Sequence, residues 1–167
     1  MKWSGLFLFF FVFFFVLCAS FMVRAEVEVG DRPRVELEDL DGEEVKLSDH
    51  RGEVVIVDLW ATWCEPCRRS MPFYQRLYEE HRDRGLRILA ISVDENQSAV
   101  EAFRRRHGLG FSVLLDEDHR TAEEFRPPTM PTAYLVDRDG VVRYRHSGFG
   151  DGDREEIERR VLDLLGE

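Results

Sequence analysis

From residue 26 onward the chain switches between short unbroken apolar runs and longer stretches in which apolar residues return every three or four positions. Val54-Val55-Ile56-Val57-Asp58-Leu59, just after Gly52, is the pattern of a strand buried on both faces. Residues 88–93 repeat it. Between these runs Phe73, Tyr74, Leu77 and Tyr78 fall on one side of a predicted helix, with Gln75, Arg76, Glu79 and Glu80 opposite and Gly85 closing it. Residues 99–107 read as a second helix ended by Gly108, and 113–115 as a short strand. Segments 35–37 and 45–47 flank Asp41-Gly42 as a hairpin. Segments 133–136 and 141–146 bracket Asp137-Arg138-Asp139-Gly140 in the same way. A last helix shows Ile157, Val161, Leu164 and Leu165 on one face, with Asp153 and Glu156 at capping-box spacing. There is no repeat and no long linker. Strands alternating with helices and ending in a hairpin predict an α/β domain with a mixed central sheet.

Residues 1–25 follow neither rhythm. They hold eight of the thirteen Phe, no Asp or Glu, and only Lys2 and Arg24 as charges. Residues 6–23 are almost wholly apolar, and Val23-Arg24-Ala25 offers a possible cleavage site, so the segment reads as an export signal. Its rival is an uncleaved anchor, because about 18 apolar residues can just cross a bilayer. Lipid attachment at Cys18 is disfavoured, since Phe15-Val16-Leu17 lacks the small residue that belongs beside such a cysteine. Either way residues 26–167 form one domain outside the cytoplasm, in the periplasm or on the outer face of the membrane. Without the leader's two cations the net charge moves from −10 to −12. That acidic balance argues against nucleic acid and anionic membranes as partners.

Losing Cys18 with the leader leaves a single pair, Cys64 and Cys67, inside Trp63-Cys64-Glu65-Pro66-Cys67. The motif follows the buried strand and opens the first helix. At a helix N-terminus the first sulfur faces unpaired N–H groups and the positive end of the dipole, which favour its thiolate. Cys64 should therefore attack a partner disulfide and Cys67, one turn on, should resolve the mixed disulfide. A zinc half-site would need two more ligands that no other cysteine supplies, and so small a ring is a poor structural staple. No metal and no cofactor is expected beyond the redox-active disulfide itself. Glu65 places a negative charge between the sulfurs, which opposes the thiolate and argues for a weak oxidant. Asp58, a lone acid in an apolar strand, should hold its proton more tightly than in water. Arg104-Arg105-Arg106 reads as a solvated helix end. The five His are scattered, none at metal spacing with another, and His146 reads as an ordinary surface histidine.

The run from Val57 through Trp63-Cys64-Glu65-Pro66-Cys67, with Met71-Pro72 and Met130-Pro131-Thr132, resembles the thioredoxin fold. It is most similar to the exported TlpA/ResA-like thiol-disulfide reductases, known from cytochrome c maturation, over roughly residues 29 to 165. The resemblance implies a mixed sheet flanked by helices, with an N-terminal β-hairpin and an inserted helix-strand unit. It implies that Pro131 is a cis-proline beside the dithiol, that Met130 offers its backbone to a substrate chain, and that Pro72 kinks the active-site helix. Asp58 matches the buried acid that thioredoxins set behind the resolving cysteine, although Ala90 stands where they carry a lysine. Glu95 matches an acid placed near the dithiol, with Asp94-Glu95 as a helix-capping pair the other reading.

The implied activity is reduction of disulfides in exported proteins such as apocytochrome c, by a monomer recharged by a membrane thiol donor. Three other readings stand beside it. A thiol oxidase or isomerase could use the same scaffold. Copper-delivery proteins of this fold separate their cysteines by three residues, not two. Thiol peroxidases need Pro and Thr or Ser where this chain has Val57 and Ala61.

Overall fold

The computed structural model describes residues 26–166; the leader, its cleavage site and Cys18 lie outside the described residues. A small antiparallel sheet comes first, β1 (Glu36–Glu38) with β2 (Glu44–Lys46). The chain then enters β3 (Val54–Trp60) and α1 (Glu65–His81), followed by β4 (Leu86–Ser92) and α2 (Gln97–His107). Next come β5 (Ser112–Leu115), α3 (Arg120–Phe125), β6 (Thr132–Val136), β7 (Val142–Ser147) and α4 (Asp153–Leu165). Five strands form one sheet in the order β5-β4-β3-β6-β7. The β3–β4 and β4–β5 pairs are parallel, and β6 pairs antiparallel with both β3 and β7. The thioredoxin-like fold expected from the motifs is the fold observed.

β3 sits at the centre and all seven of its residues are buried. Strand alternation divides them between two cores. Val54, Ile56 and Trp60 pack with Met71, Phe73, Tyr74 and Leu77 of α1, Phe103 of α2 and Ile157 and Val161 of α4. Val55, Val57 and Leu59 face Val27, Val35, Leu47, Phe125 and Tyr134. The chain crosses from β3 to α1 in only four residues, Ala61 to Cys64. No helix among the described residues is long and apolar enough to cross a membrane.

Four expectations change. The insert between β4 and β6 is helix–strand–helix: α3 was not foreseen, because its six residues carry no helical apolar period. It is held instead by buried Asp116, whose carboxylate accepts from the Thr121 and Ala122 N–H groups at 3.0 and 2.8 Å. The Asp153/Glu156 capping box does not form. Gly152 occupies the cap position with φ +94°, and the Asp153 carboxylate turns back to accept from Gly150 N–H at 2.6 Å. Leu47 leaves the first hairpin for a 3-10 turn, Leu47–His50. Arg104 is not a solvated helix end either. Its guanidinium makes two hydrogen bonds to Asp41, at 3.0 and 2.9 Å, which dock the tip of the β1–β2 hairpin on α2. Those bonds hold the Asp41 carboxyl below its ordinary value.

Candidate active site

Cys64 is the N-cap of α1, in extended backbone conformation. Its sulfur takes the place of a capping oxygen and accepts from the Cys67 N–H at 3.4 Å. Pro66 stands in the first turn, where no N–H is needed. The two cysteines form a disulfide with their Cα atoms 5.3 Å apart. Their exposure differs: Cys64 is 8% exposed and Cys67 is 0%. Only the first cysteine keeps any surface open to a partner chain. Beside it Trp63 is 64% exposed, a large apolar side chain left in solvent at the rim.

One further segment closes on the pair, and two more residues shape α1 and the strand beneath it. The Met130–Pro131 peptide is cis, as the resemblance implied, and the Met130 carbonyl oxygen lies 3.6 Å from Cys64 Sγ. Pro131 accepts from Gly148 N–H at 2.8 Å, and Thr132 Oγ1 donates to the Thr129 carbonyl at 2.8 Å, so the loop is tied at both ends. Pro72 lies inside α1, where its missing N–H leaves the Arg68 carbonyl without the regular helical donor. Asp58 is fully buried, on the sheet face beneath α1, and the Tyr74 hydroxyl donates to its Oδ1 at 3.3 Å. Burial pushes the Asp58 carboxyl well above its ordinary value, and the Tyr74 hydrogen bond offsets part of that rise. Ala90 is its β4 partner, so no lysine stands there.

Two charged residues are corrected by their surroundings. Glu65 is exposed and ion-paired with Arg68, one turn along α1, so its charge is not bare between the sulfurs. Glu95 is exposed as well; the acid fastened to the active-site loop is its neighbour Asp94. Asp94 is 4% exposed and accepts from Thr62 N–H at 2.8 Å, Thr62 Oγ1 at 2.6 Å and Ser92 Oγ at 2.8 Å. The cap of α2 is Asn96, not the Asp94-Glu95 pair. Asp94, Arg68 and the hydroxyl of Tyr74 were therefore missed. The only trace of them was that Thr62, Ser92 and Asp94 all flank strand ends, where polar side chains commonly serve the backbone.

His146 is not an ordinary surface residue. Its side chain is 14% exposed, its Nε2 is 3.3 Å from Asp153 Oδ2, and its ring stacks on Tyr144 with centroids 6.2 Å apart. Folding also gathers Glu80, His81 and Glu158, with ligand atoms within 4.8 Å of one another, which sequence spacing did not suggest. Arg76 already bridges both carboxylates, at 3.0 Å to Glu80 and 2.8 Å to Glu158, and supplies the positive charge there.

Comparison with known proteins agrees with this geometry. The family model described as the AhpC/TSA family matches residues 29–145. The thiol-disulfide oxidoreductase ResA of Geobacillus kaustophilus (strain HTA426) is 36% identical over 145 residues, covering 86% of this chain and 82% of its own. The protein of the same name from Geobacillus thermodenitrificans (strain NG80-2) is 37% identical over 124 residues, 74% of this chain and 71% of its own. A thiol:disulfide interchange protein DsbE from Chlorobium tepidum superposes with a TM-score of 0.80 at 34% identity. That match covers 84% of this chain and 100% of the solved one.

Proposed function

The chain belongs to the AhpC/TSA family and, within it, to the ResA-like thiol-disulfide oxidoreductases, and from that premise we propose that it reduces disulfides in exported proteins, acting outside the cytoplasm through Cys64 and Cys67. The observation that carries this reading is the unequal exposure of two cysteines in one ring, with Cys64 retaining 8% of its surface and Cys67 none. In the reduced form the Cys64 thiolate attacks a substrate disulfide. One substrate sulfur leaves and a Cys64–substrate disulfide forms. Cys67 then attacks Cys64, the internal disulfide closes, and the second substrate sulfur leaves as a thiolate that takes up a proton. The enzyme loses two electrons and the substrate gains them, so a thiol donor at the membrane has to restore the dithiol.

Trp63 supplies an apolar rim for the incoming chain, and the Met130 backbone beside cis-Pro131 supplies a strand-like edge. Residues 1–25 act as the export signal or anchor, and residues 26–167 as the monomeric thioredoxin-like domain that remains outside. Apocytochrome c is the representative client. Reduction of insulin or apocytochrome c disulfides, with Cys64→Ser and Cys67→Ser as controls, tests the reading. Turnover that persists in either variant, or its absence in the folded wild type, overturns it. Intact-mass spectrometry on protein from a secretory host separates cleaved from retained leader.

The Glu65–Arg68 pair favours one second reading. A neutralised insert no longer disfavours the thiolate, which leaves a thiol oxidase on the same site. The reduction potential of the Cys64–Cys67 couple decides: a value near about −120 mV would assign the oxidising direction.

A further inference from the structure

The strand register lines up Val113, Ala90, Asp58, Ala133 and His146 across all five strands. Val113, Ala90 and Ala133 belong to the core that contains both cysteines, so the whole row lies on the dithiol side of the sheet. Asp58 is flanked on both sides by alanine. The space that two larger side chains would fill is open above the carboxyl, and α1 fills it with Tyr74. The hydroxyl of Tyr74 reaches Oδ1 at 3.3 Å, while Oδ2 is buried and has no hydrogen-bond partner. Phe73 and Phe149 pack on the Tyr74 ring, with centroids 5.6 and 6.4 Å away, and fix where the hydroxyl points.

Resting on the readings of Cys67 as the resolving cysteine and of Asp58 as the buried acid that takes its proton, we propose that Tyr74 is a positioning residue for the resolving step: its hydroxyl holds Asp58 by Oδ1 and leaves Oδ2 unengaged. Cys67 S–H transfers its proton to Oδ2 of ionised Asp58. The resulting thiolate attacks Cys64 Sγ, the Cys64–Cys67 bond forms, and the bond from Cys64 to the substrate sulfur breaks. The substrate sulfur leaves with the electron pair and takes a proton from water, and Asp58 later releases its own proton to solvent. Tyr74 keeps its proton throughout. Burial, and then the charge of Asp58, push its hydroxyl well above the ordinary tyrosine value, so it remains a donor.

The other titratable groups around the pair are few. β4 and β6 bring only Ala90 and Ala133 to the row. β7 brings His146, α4 brings Asp153, whose charge also raises Tyr74, and α1 brings the two cysteines. Tyr74 donates the hydrogen bond that draws the Asp58 proton affinity down from its buried level. Weakening that bond must therefore raise the pH at which Asp58 ionises, and strengthening it must lower that pH.

Carboxyl 13C NMR of Asp58 in the reduced protein and the pH dependence of mixed-disulfide resolution test this together. Tyr74→Phe keeps the ring and loses the donor; it should move both midpoints up by about one pH unit. Replacing Tyr74 alone by 3-fluorotyrosine, a more acidic donor of nearly the same shape, should move both down. In an Asp58→Asn background Tyr74→Phe should leave the rate profile where it is. Unmoved midpoints, shifts of the same sign for both substitutions, or a Tyr74→Phe shift that survives Asp58→Asn would overturn the role of Tyr74 alone. Turnover by the wild type that does not need Cys67 would overturn the reading of the site and this role with it.

Discussion

Cys64 and Cys67 share one small ring but not one environment. Cys64 borrows the N–H of Cys67 and keeps a small part of its surface open, whereas Cys67 has no exposure. Truncating the second sulfur should thus stop the reaction halfway. Cys67→Ser is expected to lose turnover and to accumulate a covalent Cys64–substrate adduct, visible by mass spectrometry and discharged by added thiol. Cys64→Ser is expected to form no adduct. Asp58 carries a second prediction, on stability. Its folded-state proton affinity is raised by burial above that of the unfolded chain. It therefore favours the folded state fully below the unfolded carboxyl pKa, and that contribution is lost as pH rises through the folded value. Asp58→Asn removes the loss. The variant's urea midpoint should exceed the wild type's at about pH 9 and converge with it at about pH 3, below the unfolded value, while its resolution rate falls.

At the scale of elements, the junction between β3 and α1 does most to set the chemistry. The CxxC motif was legible because strand, helix start and sulfur spacing are all local in sequence. What holds the junction was not, because Asp94 reaches Thr62 across thirty-two positions of chain, from the end of the neighbouring parallel strand. Asp94→Ala would leave the half-buried donors of Thr62 and the buried hydroxyl of Ser92 without their acceptor. We expect a loss of about 1–3 kcal/mol in stability, measured by urea unfolding, together with slower attack by Cys64 in stopped-flow. If the loop were held mainly by its own turn geometry, the attack rate would be unchanged. α3 teaches the same lesson from the other direction. Six residues without an apolar period carry no helical signal, yet buried Asp116 binds their first N–H groups and Phe125 anchors their end.

For the molecule as a whole, two interlocked cores on either side of β3 carry the stability. Ile56 is fully buried between sheet and helices, so Ile56→Ala should cost about 2–5 kcal/mol, read from a chemical denaturation curve. The tip of the β1–β2 hairpin adds an exposed ion pair to its backbone contact with β5. Arg104 and Asp41 meet across sixty-three positions in a pair whose side chains are 33% and 63% exposed. Exposed pairs are weak and salt-screened, so Arg104→Ala should lower the thermal midpoint slightly at low salt and not at all in about 1 M salt.

By itself the sequence determined the order of the strands and of the three long helices, the pairing of the last hairpin, the buried central strand and the chemical identity of the site. Each of these is written in short-range pattern: apolar period, turn residues, and two cysteines one helical turn apart. Tertiary structure alone decided which acid braces the active-site loop and that Tyr74 meets Asp58 in the gap between two alanines. A charged or hydroxylated side chain is defined by the group opposite it. That group is often tens of residues away, and only the packing of β3 against α1 and β4 brings the two together.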